Sequence, residues 1–269
     1  MAVETTTFSN NSADTWFRDI MFDCVLCPRA CHVNRLAGQT GYCGQTAELM
    51  AARASLHYWE EPCISGTSGS GTVFFSGCNL RCVFCQNHNI ALGKAGRVIA
   101  PEHLAEIFLQ LQEQGANNIN LVTPTHFLPQ IVIALEQAKQ QGLHLPIVYN
   151  TGSYESPEAL RHLEGLVDIY LPDLKYFSPE LSTAYSHAPD YFETACAAIS
   201  EMYRQVGDSV IDEDTGLMQH GMIVRHLLLP GQTKDSKKIL RYLHETYGDH
   251  IYISIMNQYT PLPQVADIE

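Results

Sequence analysis

The stretch Thr72–Cys85, which reads TVFFSGCNLRCVFC, joins a short strand pattern to three closely spaced cysteines. Its first residues are mostly β-branched or aromatic, as in a buried strand. Cys78, Cys82 and Cys85 follow at the spacing C-x3-C-x2-C. Soft sulfur ligands select iron–sulfur clusters or zinc, and three thiolates match three corners of a four-iron cubane. The stretch therefore predicts a metal centre at the end of a strand, with one iron open to a further ligand.

Five further apolar runs follow this strand and alternate with helical patterns. Short, continuously apolar runs are typical of strands covered on both faces, and their alternation with helices indicates a parallel sheet. The predicted strands are Thr72–Ser76, Ile119–Val122, Pro146–Asn150, Val167–Leu171, Met222–Leu229 and His250–Met256. Residues 64–269 are thus predicted to form an α/β fold, a partial (βα)6 TIM-like barrel.

Two interpretations of the cysteine loop are open at this point. It can hold a catalytic cluster with an open position, or it can hold zinc or a closed electron-transfer cluster completed by Cys63 or another distant cysteine. The catalytic interpretation is favoured because folds built from βα units place their chemistry at the carboxyl ends of the strands.

Composition and charge narrow the class of protein. The chain carries 29 Asp and Glu against 16 Lys and Arg, a formal net charge of -13, which repels nucleic acids and anionic membranes. No apolar run approaches the roughly 18 residues that span a bilayer. Residues 1–15 are polar, without the basic start and apolar run of a secretory signal, so we expect a disordered N-terminus and a cytoplasmic protein.

A second group of cysteines lies in the segment of residues 16–63, which we expect to be mostly loop. Cys24, Cys27, Cys31 and Cys43 follow the spacing C-x2-C-x3-C-x11-C. A reducing compartment leaves thiols free for metals, so the spacing predicts a four-cysteine site. Structural zinc and a second iron–sulfur cluster both accept such ligands. Cys63 stays unassigned.

Four other motifs carry a resemblance to a known family. They are WEEPCISG at residues 59–66, GSGT at 69–72, YLPDLKY at 170–176 and VRHLLLPG at 224–231. Together with the three-cysteine loop, they resemble the radical S-adenosylmethionine (SAM) enzymes, in an uncharacterised branch related to pyruvate formate-lyase activating enzymes. The resemblance covers the chain from about Cys24 to Pro261.

The resemblance implies a [4Fe-4S] cluster whose open iron binds the amino and carboxylate groups of SAM. One electron from the reduced cluster then gives methionine and a 5'-deoxyadenosyl radical, which removes hydrogen from an unactivated C–H bond. In such enzymes the cofactor carries the chemistry, while the protein binds it and excludes water. A low-potential electron donor such as flavodoxin or ferredoxin is the implied partner.

The resemblance also implies residues that hold SAM. Phe84, inside the cysteine loop, would pack near the adenine. Activating enzymes carry a Gly-Gly-Glu stretch after the second strand to receive the SAM amino group, whereas residues 122–126 here read VTPTH. Thr123 and Thr125 are then the oxygen acceptors in this chain, and both are weaker acceptors than a carboxylate.

Three further strands end in candidate cofactor residues. Asn150 follows the third strand, and Asp173 and Lys175 follow the fourth in a motif that resembles the contact region for the SAM carboxylate. A lysine in a partly dry cavity attracts a carboxylate more strongly than it does in water. Arg225 and His226 are neighbours on the fifth strand, so they face opposite sides, and we expect Arg225 to face the cavity.

His126 and Tyr149 are candidates to face a substrate. The predicted function is that of a glycyl-radical-enzyme activase, which takes hydrogen from the Cα of a glycine in a partner protein, and this step rests on the resemblance alone. One alternative is radical modification of another peptide or a small molecule. The other is a non-enzymatic iron–sulfur electron-transfer or zinc-scaffold protein. Gln258 stands where activases place a His near the sixth strand.

Overall fold

The computed structural model describes residues 12–262. Within this range the strands are β1 (Met50–His57), β2 (Ser70–Phe75), β3 (Arg97–Val98), β4 (Ile119–Val122), β5 (Ile147–Thr151), β6 (Ile169–Pro172), β7 (Val210–Ile211), β8 (Met218–Leu227) and β9 (Tyr252–Met256). The helices are α1 (Ser12–Phe22), α2 (Pro62–Ser65), α3 (His88–Ala91), α4 (Pro101–Glu113), α5 (Leu128–Gln140), α6 (Pro157–Leu160), α7 (Pro179–Ser186), α8 (Tyr191–Val206) and α9 (Thr233–Tyr247). Over the described range, no helix has both the length and the apolar character needed to cross a bilayer.

Six of the strands run parallel, in the order β2-β4-β5-β6-β8-β9. They are the six predicted strands with shifted ends. β1 pairs antiparallel with β2 and carries β3 on its other side, while β7 pairs antiparallel with β8. Helices connect successive parallel strands. The predicted α/β partial (βα)6 barrel is confirmed.

The two faces of the sheet carry different layers, because successive side chains of a strand point to opposite sides. Tyr149, Tyr170 and Val224 share the main core with buried apolar residues of α4, α5 and α8, so they face outward toward the helices. Val148 and Ile223 belong to a separate apolar cluster on the inner face. This inner cluster fills the amino ends of the strands and leaves their carboxyl ends to polar groups.

The segment of residues 16–63 is mostly loop, as expected, but it also holds most of α1 and all of β1. α1 begins at Ser12, inside the region expected to be disordered, because Phe17 and Met21 lie one turn apart and are buried in the core. β1 was not predicted because its sequence, MAARASLH, has little strand propensity. Its pairing with β2 holds it in the extended conformation that its own sequence does not favour. Residues 1–11, also expected to be disordered, lie outside the described residues.

The two ends of the arc of strands meet at the carboxyl rim. In the described range β9 pairs with β8 alone, so the barrel does not close by a ladder of hydrogen bonds. Instead, the Gln86 side-chain amide, just after the cysteine loop, donates to the backbone oxygen of Gln258 at 3.0 Å and to the hydroxyl of Thr260 at 3.2 Å. The cysteine loop is thereby tied to the segment that follows β9.

Candidate metal and cofactor site

Backbone strain is concentrated around the carboxyl rim. Non-glycine residues with positive φ cost about 1–3 kcal/mol each and cluster at functional sites. In the described chain they lie in the loops after β2, β4 and β5, in the four-cysteine segment and at the end of α7; they are Ala30, His32, Arg81, Thr123, Ser153 and His187. The distribution marks the rim as the region where the fold holds unfavourable conformations in place.

The three predicted cluster cysteines lie together on the loop between β2 and α3. The backbone N–H of Leu80 donates to the sulfur of Cys78 at 3.3 Å, and the hydroxyl of Ser186 donates to the sulfur of Cys82 at 3.0 Å. The Cys85 N–H donates to the Cys82 carbonyl at 3.1 Å and closes the turn. Donors aimed at sulfur stabilise its thiolate form, which is the form that binds iron.

Burial and mutual repulsion act on these thiols. Burial raises the pKa of Cys78, and the neighbouring Cys82 raises it further. Burial also raises the pKa of Cys85 to about 12, with contributions from Cys82 and Cys78, while the positive charge of Lys175 lowers the pKa of both. Metal binding must displace the thiol protons, so the affinity of this loop for a cluster increases with pH.

The loop fits a cubane cluster. Among the Cys, His, Asp and Glu side chains of residues 12–262, no three surround a point where a single metal ion would be held. A cubane attaches each cysteine to a different iron, so its sulfur ligands do not have to converge on one point. The three cysteines share one loop, their thiols are close enough for Cys82 and Cys78 to raise the pKa of Cys85, and the sulfurs of Cys78 and Cys82 accept hydrogen bonds, which is the environment such a cluster requires.

A buried ionic network lies beside the loop on the inner face of the sheet. Asp173 accepts from the Lys175 ammonium at 2.6 Å and from Arg225 Nε at 2.8 Å. Arg225 also donates to the side-chain oxygen of Asn150 at 2.7 Å and to Glu60 at 3.1 Å. Four residues predicted to contact the cofactor are thereby assembled in one network, and Glu60 was not predicted.

The members of this network keep their charges. Burial lowers the pKa of Lys175 and Arg225, but Asp173 and the other neighbouring acidic groups together raise both pKa values overall. Burial raises the pKa of Asp173, and the two cations more than reverse it. Burial raises the pKa of Glu60, against the attraction of Arg225. Removal of Asp173 would leave Lys175 without its ion pair, and removal of Arg225 would do the same to Glu60, which is unfavourable for buried charges.

Tyr191 fixes the two loops that carry the network. Its hydroxyl lies 2.8 Å from the Asp173 carbonyl and 2.9 Å from the Gly152 carbonyl, and it accepts from the Lys175 backbone N–H at 3.0 Å. A Cβ at Gly152 would come within 2.7 Å of Leu80 and 3.4 Å of the Lys175 side chain. The cysteine loop and the lysine therefore approach each other across a position that requires glycine.

Phe84 and Thr123 lie at the rim, as their positions in the sequence indicate. Phe84 is buried and packs edge-on against Tyr176 and Tyr185, with ring centroids 6.3 and 6.2 Å apart. Thr123 follows β4 directly in a left-handed conformation at φ 55°. Their contact with SAM stays a prediction.

Thr125 is placed differently. Its hydroxyl is buried and donates to Glu155 at 2.5 Å, and the hydroxyl of Thr151 donates to the same carboxyl oxygen. Thr151 continues the alternation of Tyr149 on β5 and faces the helices, so this cluster lies behind the sheet. The role of Thr125 as a SAM acceptor stays a prediction, and in this structure its hydroxyl serves the loop after β5 instead.

His126 and Tyr149 do not face a substrate cavity, which corrects their assignment. His126 is 2% exposed and hydrogen bonds to the Ser76 carbonyl at 2.6 Å. Burial lowers its pKa to about 3, so the ring is neutral. Tyr149 is fully buried and packs edge-on against Tyr170 in the outer core. The sequence around a strand end does not show which side of the sheet a polar residue will face, and here both side chains are buried in the core.

Arg225 and His226 divide as the strand alternation predicts. Arg225 joins the inner network, and His226 lies on the outer face, where its Nδ1 is 2.7 Å from the Leu174 carbonyl. Leu174 stands between Asp173 and Lys175, so His226 supports the loop from behind.

The four-cysteine segment gathers its thiols at the same rim. Burial raises the pKa of Cys43, and the charges of Cys24 and Cys31 raise it further against the opposing effect of Arg35. Burial raises the pKa of Cys27 to about 12, with Cys43 adding to it. Cys43 is therefore within electrostatic range of Cys24, Cys27 and Cys31, although no three of these described side chains surround a point where a single metal ion would be held. Cys63 instead packs against the inner apolar cluster at the amino ends of the strands.

Sequence reasoning missed Glu60, Glu155, Tyr191 and Ser186. Glu60 belongs to the WEEPCISG motif and follows β1, but β1 was not predicted and the motif assigned no role to this carboxylate, while Ser186 ends α7, away from the strand ends. Glu155 follows Thr151 by four residues, so a polar residue in the loop after β5 was the one available signal.

The radical SAM superfamily family model matches residues 72–243, which cover the cysteine loop, four residues of the ionic network (Asn150, Asp173, Lys175 and Arg225) and five of the six parallel strands. The chain belongs to the radical SAM superfamily. Membership implies a [4Fe-4S] cluster and SAM as cofactors, and it supports radical chemistry as the kind of reaction.

Two curated proteins are similar to this radical SAM chain. The uncharacterized protein MJ0674 of Methanocaldococcus jannaschii is 28% identical over 254 residues, which are 91% of this chain and 68% of that protein. The pyruvate formate-lyase-activating enzyme of Clostridium pasteurianum is 29% identical over 121 residues, 42% of this chain and 48% of that enzyme.

Two solved structures align with part of this chain. Native anSMEcpe with bound AdoMet aligns at a TM-score of 0.49 and 15% identity, covering 70% of this chain and 50% of that chain. Methylornithine synthase (PylB) aligns at 0.47 and 14%, covering 71% and 56%. This chain thus spans about half the length of the activating enzyme and of these solved structures.

The buried Glu155 gives a pH-dependent stability. Burial raises its pKa to about 7, against the hydroxyls of Thr125, Thr151 and Tyr149, from an ordinary value of 4.5. Between these values the unfolded chain releases a proton that the native protein keeps. Stability should therefore fall as pH rises through this window, by about 3 kcal/mol, and stay level above it.

Glu155→Gln removes the titrating group and keeps an oxygen for the hydroxyls. The difference in free energy of unfolding between this variant and the wild type, measured in urea at pH 5 and pH 8, should shift in favour of the variant at pH 8. Glu136→Gln, on the exposed side of α5, is the control and should show no such shift. An equal difference at both pH values would show that the Glu155 pKa is not raised.

Proposed function

We propose that this chain cleaves SAM reductively at a [4Fe-4S] cluster held by Cys78, Cys82 and Cys85, and that it takes hydrogen from a glycine of a partner protein. The observation that carries the proposal is the placement of three sulfurs and a buried cation on one rim. Lys175 is close enough to lower the pKa of Cys78 and Cys85. A cluster ligand set and a carboxylate-binding group thus face the same space.

Each residue of the rim has a proposed task. The three cysteines bind three irons, and the donors from Leu80 and Ser186 orient two of the sulfurs. Lys175 would form an ion pair with the SAM carboxylate in addition to its ion pair with Asp173. Arg225 keeps Asp173 paired when Lys175 shares its charge in this way. Phe84, Thr123 and Asn150 are the further proposed contacts of the cofactor, and the same role for Thr125 would require its hydroxyl to leave Glu155. When bound, the reduced cluster and SAM together supply the one-electron cleavage that makes hydrogen abstraction available.

The glycine substrate is supported by the partial similarity to the pyruvate formate-lyase-activating enzyme. A flavodoxin or ferredoxin is the proposed electron donor on the same ground. Cys24, Cys27, Cys31 and Cys43 are proposed to hold either a second iron–sulfur cluster or zinc, because both accept four sulfur ligands. We also propose a cytoplasmic location, where thiols stay reduced.

The cluster assignment predicts that Cys82→Ala abolishes SAM cleavage. Anaerobically reconstituted and reduced protein should release 5'-deoxyadenosine and methionine, detected by mass spectrometry, and the variant should fall to the background. Cys196→Ala, a thiol on α8 away from the rim, should retain the wild-type rate. Full cleavage by the Cys82 variant would rule out the ligand assignment.

Lys175 is predicted to determine the affinity for SAM. A hydrogen bond between charged groups contributes about 1.5–3 kcal/mol, so Lys175→Met should weaken SAM binding about 10- to 100-fold. Equilibrium dialysis of reconstituted protein with labelled SAM measures this change. Lys238→Met, which removes an exposed ammonium 4.8 Å from the ring of Phe177, is the control. Unchanged SAM binding in Lys175→Met would assign the lysine to structure alone.

The substrate assignment is tested by radical detection. A candidate glycyl radical protein, incubated with the reduced enzyme and SAM, should acquire an organic radical signal in electron paramagnetic resonance that deuteration of its glycine narrows. Release of 5'-deoxyadenosine that only another peptide or a small molecule stimulates would instead favour the alternative radical modification. In that case SAM cleavage would stand while the glycine substrate fails.

A further inference from the structure

Arg29 joins the four-cysteine segment to the cluster loop. It stands between Cys27 and Cys31, and its guanidinium donates to three backbone carbonyls of the barrel. Nε donates to Asn79 at 2.8 Å, Nη2 to Ser186 at 2.9 Å and Nη1 to His187 at 2.5 Å. Hydrogen bonds from a guanidinium are stronger than neutral ones, and its planar fork fixes their directions.

These carbonyls belong to the two segments that place the cluster cysteines. Asn79 directly follows Cys78 in the cluster loop. Ser186 ends α7, and its hydroxyl donates to the Cys82 sulfur. One residue earlier, the Tyr185 carbonyl accepts from the Val83 N–H at 2.9 Å. Arg29 therefore spans the loop that carries the sulfurs and the helix end that supports it.

The end of α7 needs a cation at this point. The last carbonyls of a helix have no partner within the helix and carry partial negative charge. His187 ends α7 in a left-handed conformation at φ 50°, which directs these carbonyls outward, and Arg29 takes two of them. The helix end thus receives its cap from a segment more than 150 residues earlier in the chain.

The four-cysteine segment contacts the cluster loop at several other points. The ring of Tyr42 stacks 3.9 Å from the Arg29 guanidinium, and its hydroxyl is 3.4 Å from the Leu80 carbonyl. A Cβ at Gly77 would lie 2.7 Å from the Cys43 carbonyl, so the backbones touch immediately before Cys78. The contact extends along most of the loop.

The second metal position is built into this contact. Tyr42 N–H donates to the Cys31 sulfur at 3.3 Å, and Asn79 hydrogen bonds to the Cys27 thiol. Tyr42 and Arg29, which contact the cluster loop, are therefore also neighbours of the four cysteines. Both would move when those cysteines gather around a metal. A metal bound at the four-cysteine site orders its ligands, and Arg29 extends this order to the cluster loop.

We infer that Arg29 is a positioning residue that couples metal occupancy at the four-cysteine site to the conformation of the SAM cluster loop. A filled four-cysteine site holds Arg29 against Asn79, Ser186 and His187, and this prepares Cys78, Cys82 and Cys85 to take up their cluster. The inference rests on the proposed four-cysteine metal site. It applies equally to zinc and to a second cluster, since the coupling passes through a guanidinium and backbone carbonyls.

The first test isolates the coupling from the SAM cluster. In a Cys78→Ala/Cys82→Ala/Cys85→Ala background, addition of Zn2+, or of ferrous iron with sulfide, should slow amide hydrogen exchange in residues 79–87, which supply no ligand to the added metal. The effect should be on the order of tenfold, as expected for charge-assisted hydrogen bonds that become ordered. Arg29→Met in this background should still bind the metal and lose the protection, and Arg29→Lys should restore part of it.

Lys139→Met is the matched control. Lys139 also donates to two backbone carbonyls, those of Gly165 and Leu166, each at 3.2 Å, but lies away from the rim. This variant should keep the full protection of residues 79–87. Protection that persists in Arg29→Met, or protection that is absent when the metal is bound to the intact arginine, would overturn the inference.

The second test uses the protein with all its cysteines. Arg29→Met should hold several-fold less iron and sulfide at the cluster loop after reconstitution, and the electron paramagnetic resonance signal of that cluster should change on SAM addition for a smaller fraction of molecules. Iron content equal to the wild type would contradict the inference. Metal content and hydrogen exchange do not depend on SAM cleavage. Both measurements therefore test the inference even if the proposed reaction fails.

Discussion

The rim depends on one carboxylate. Asp173 lies between Lys175 and Arg225 inside the barrel, and without it two buried cations would repel each other beside three sulfurs. Its attraction keeps both cations charged in a place where burial alone would favour their neutral forms. The network thus fixes two cations, balanced by the carboxylates of Asp173 and Glu60, next to a loop that becomes negative when its thiols bind iron. Everything proposed for cofactor binding starts from this balance.

The sequence predicted those parts of the fold and site that depend on local pattern. Apolar runs located the six parallel strands, and the position of residues at strand ends located Asn150, Asp173, Lys175 and Arg225. It did not predict which face a polar residue takes when both faces can bury it, as His126 and Tyr149 demonstrate. Nor did it predict β1, whose pairing partner β2 determines its conformation. Glu60, Tyr191 and Ser186 were out of reach because they act across long separations in the chain.

The four-cysteine segment and the barrel form one structural unit at the rim. Its helix α1 is anchored in the main core through Phe17 and Met21, and its loop covers the cluster cysteines with Tyr42 and Arg29. A segment held at one end by apolar burial and at the other by cation–carbonyl bonds cannot shift without disturbing the sulfurs beneath it. This explains why strained backbone conformations occur on both sides of the contact, at Ala30 and at Arg81.

The tie between Gln86 and Gln258 has a consequence for access. A full eight-stranded barrel can be entered only along its axis, whereas this arc of six strands has a side that is spanned at the rim by the amide of one glutamine. An extended chain approaching from that side would meet this tie, together with the contacts of Tyr259 and Leu262 with the main core, before it reached the sulfurs. The glycine proposed as the substrate has no side chain, so its Cα would meet the least steric obstruction along this path.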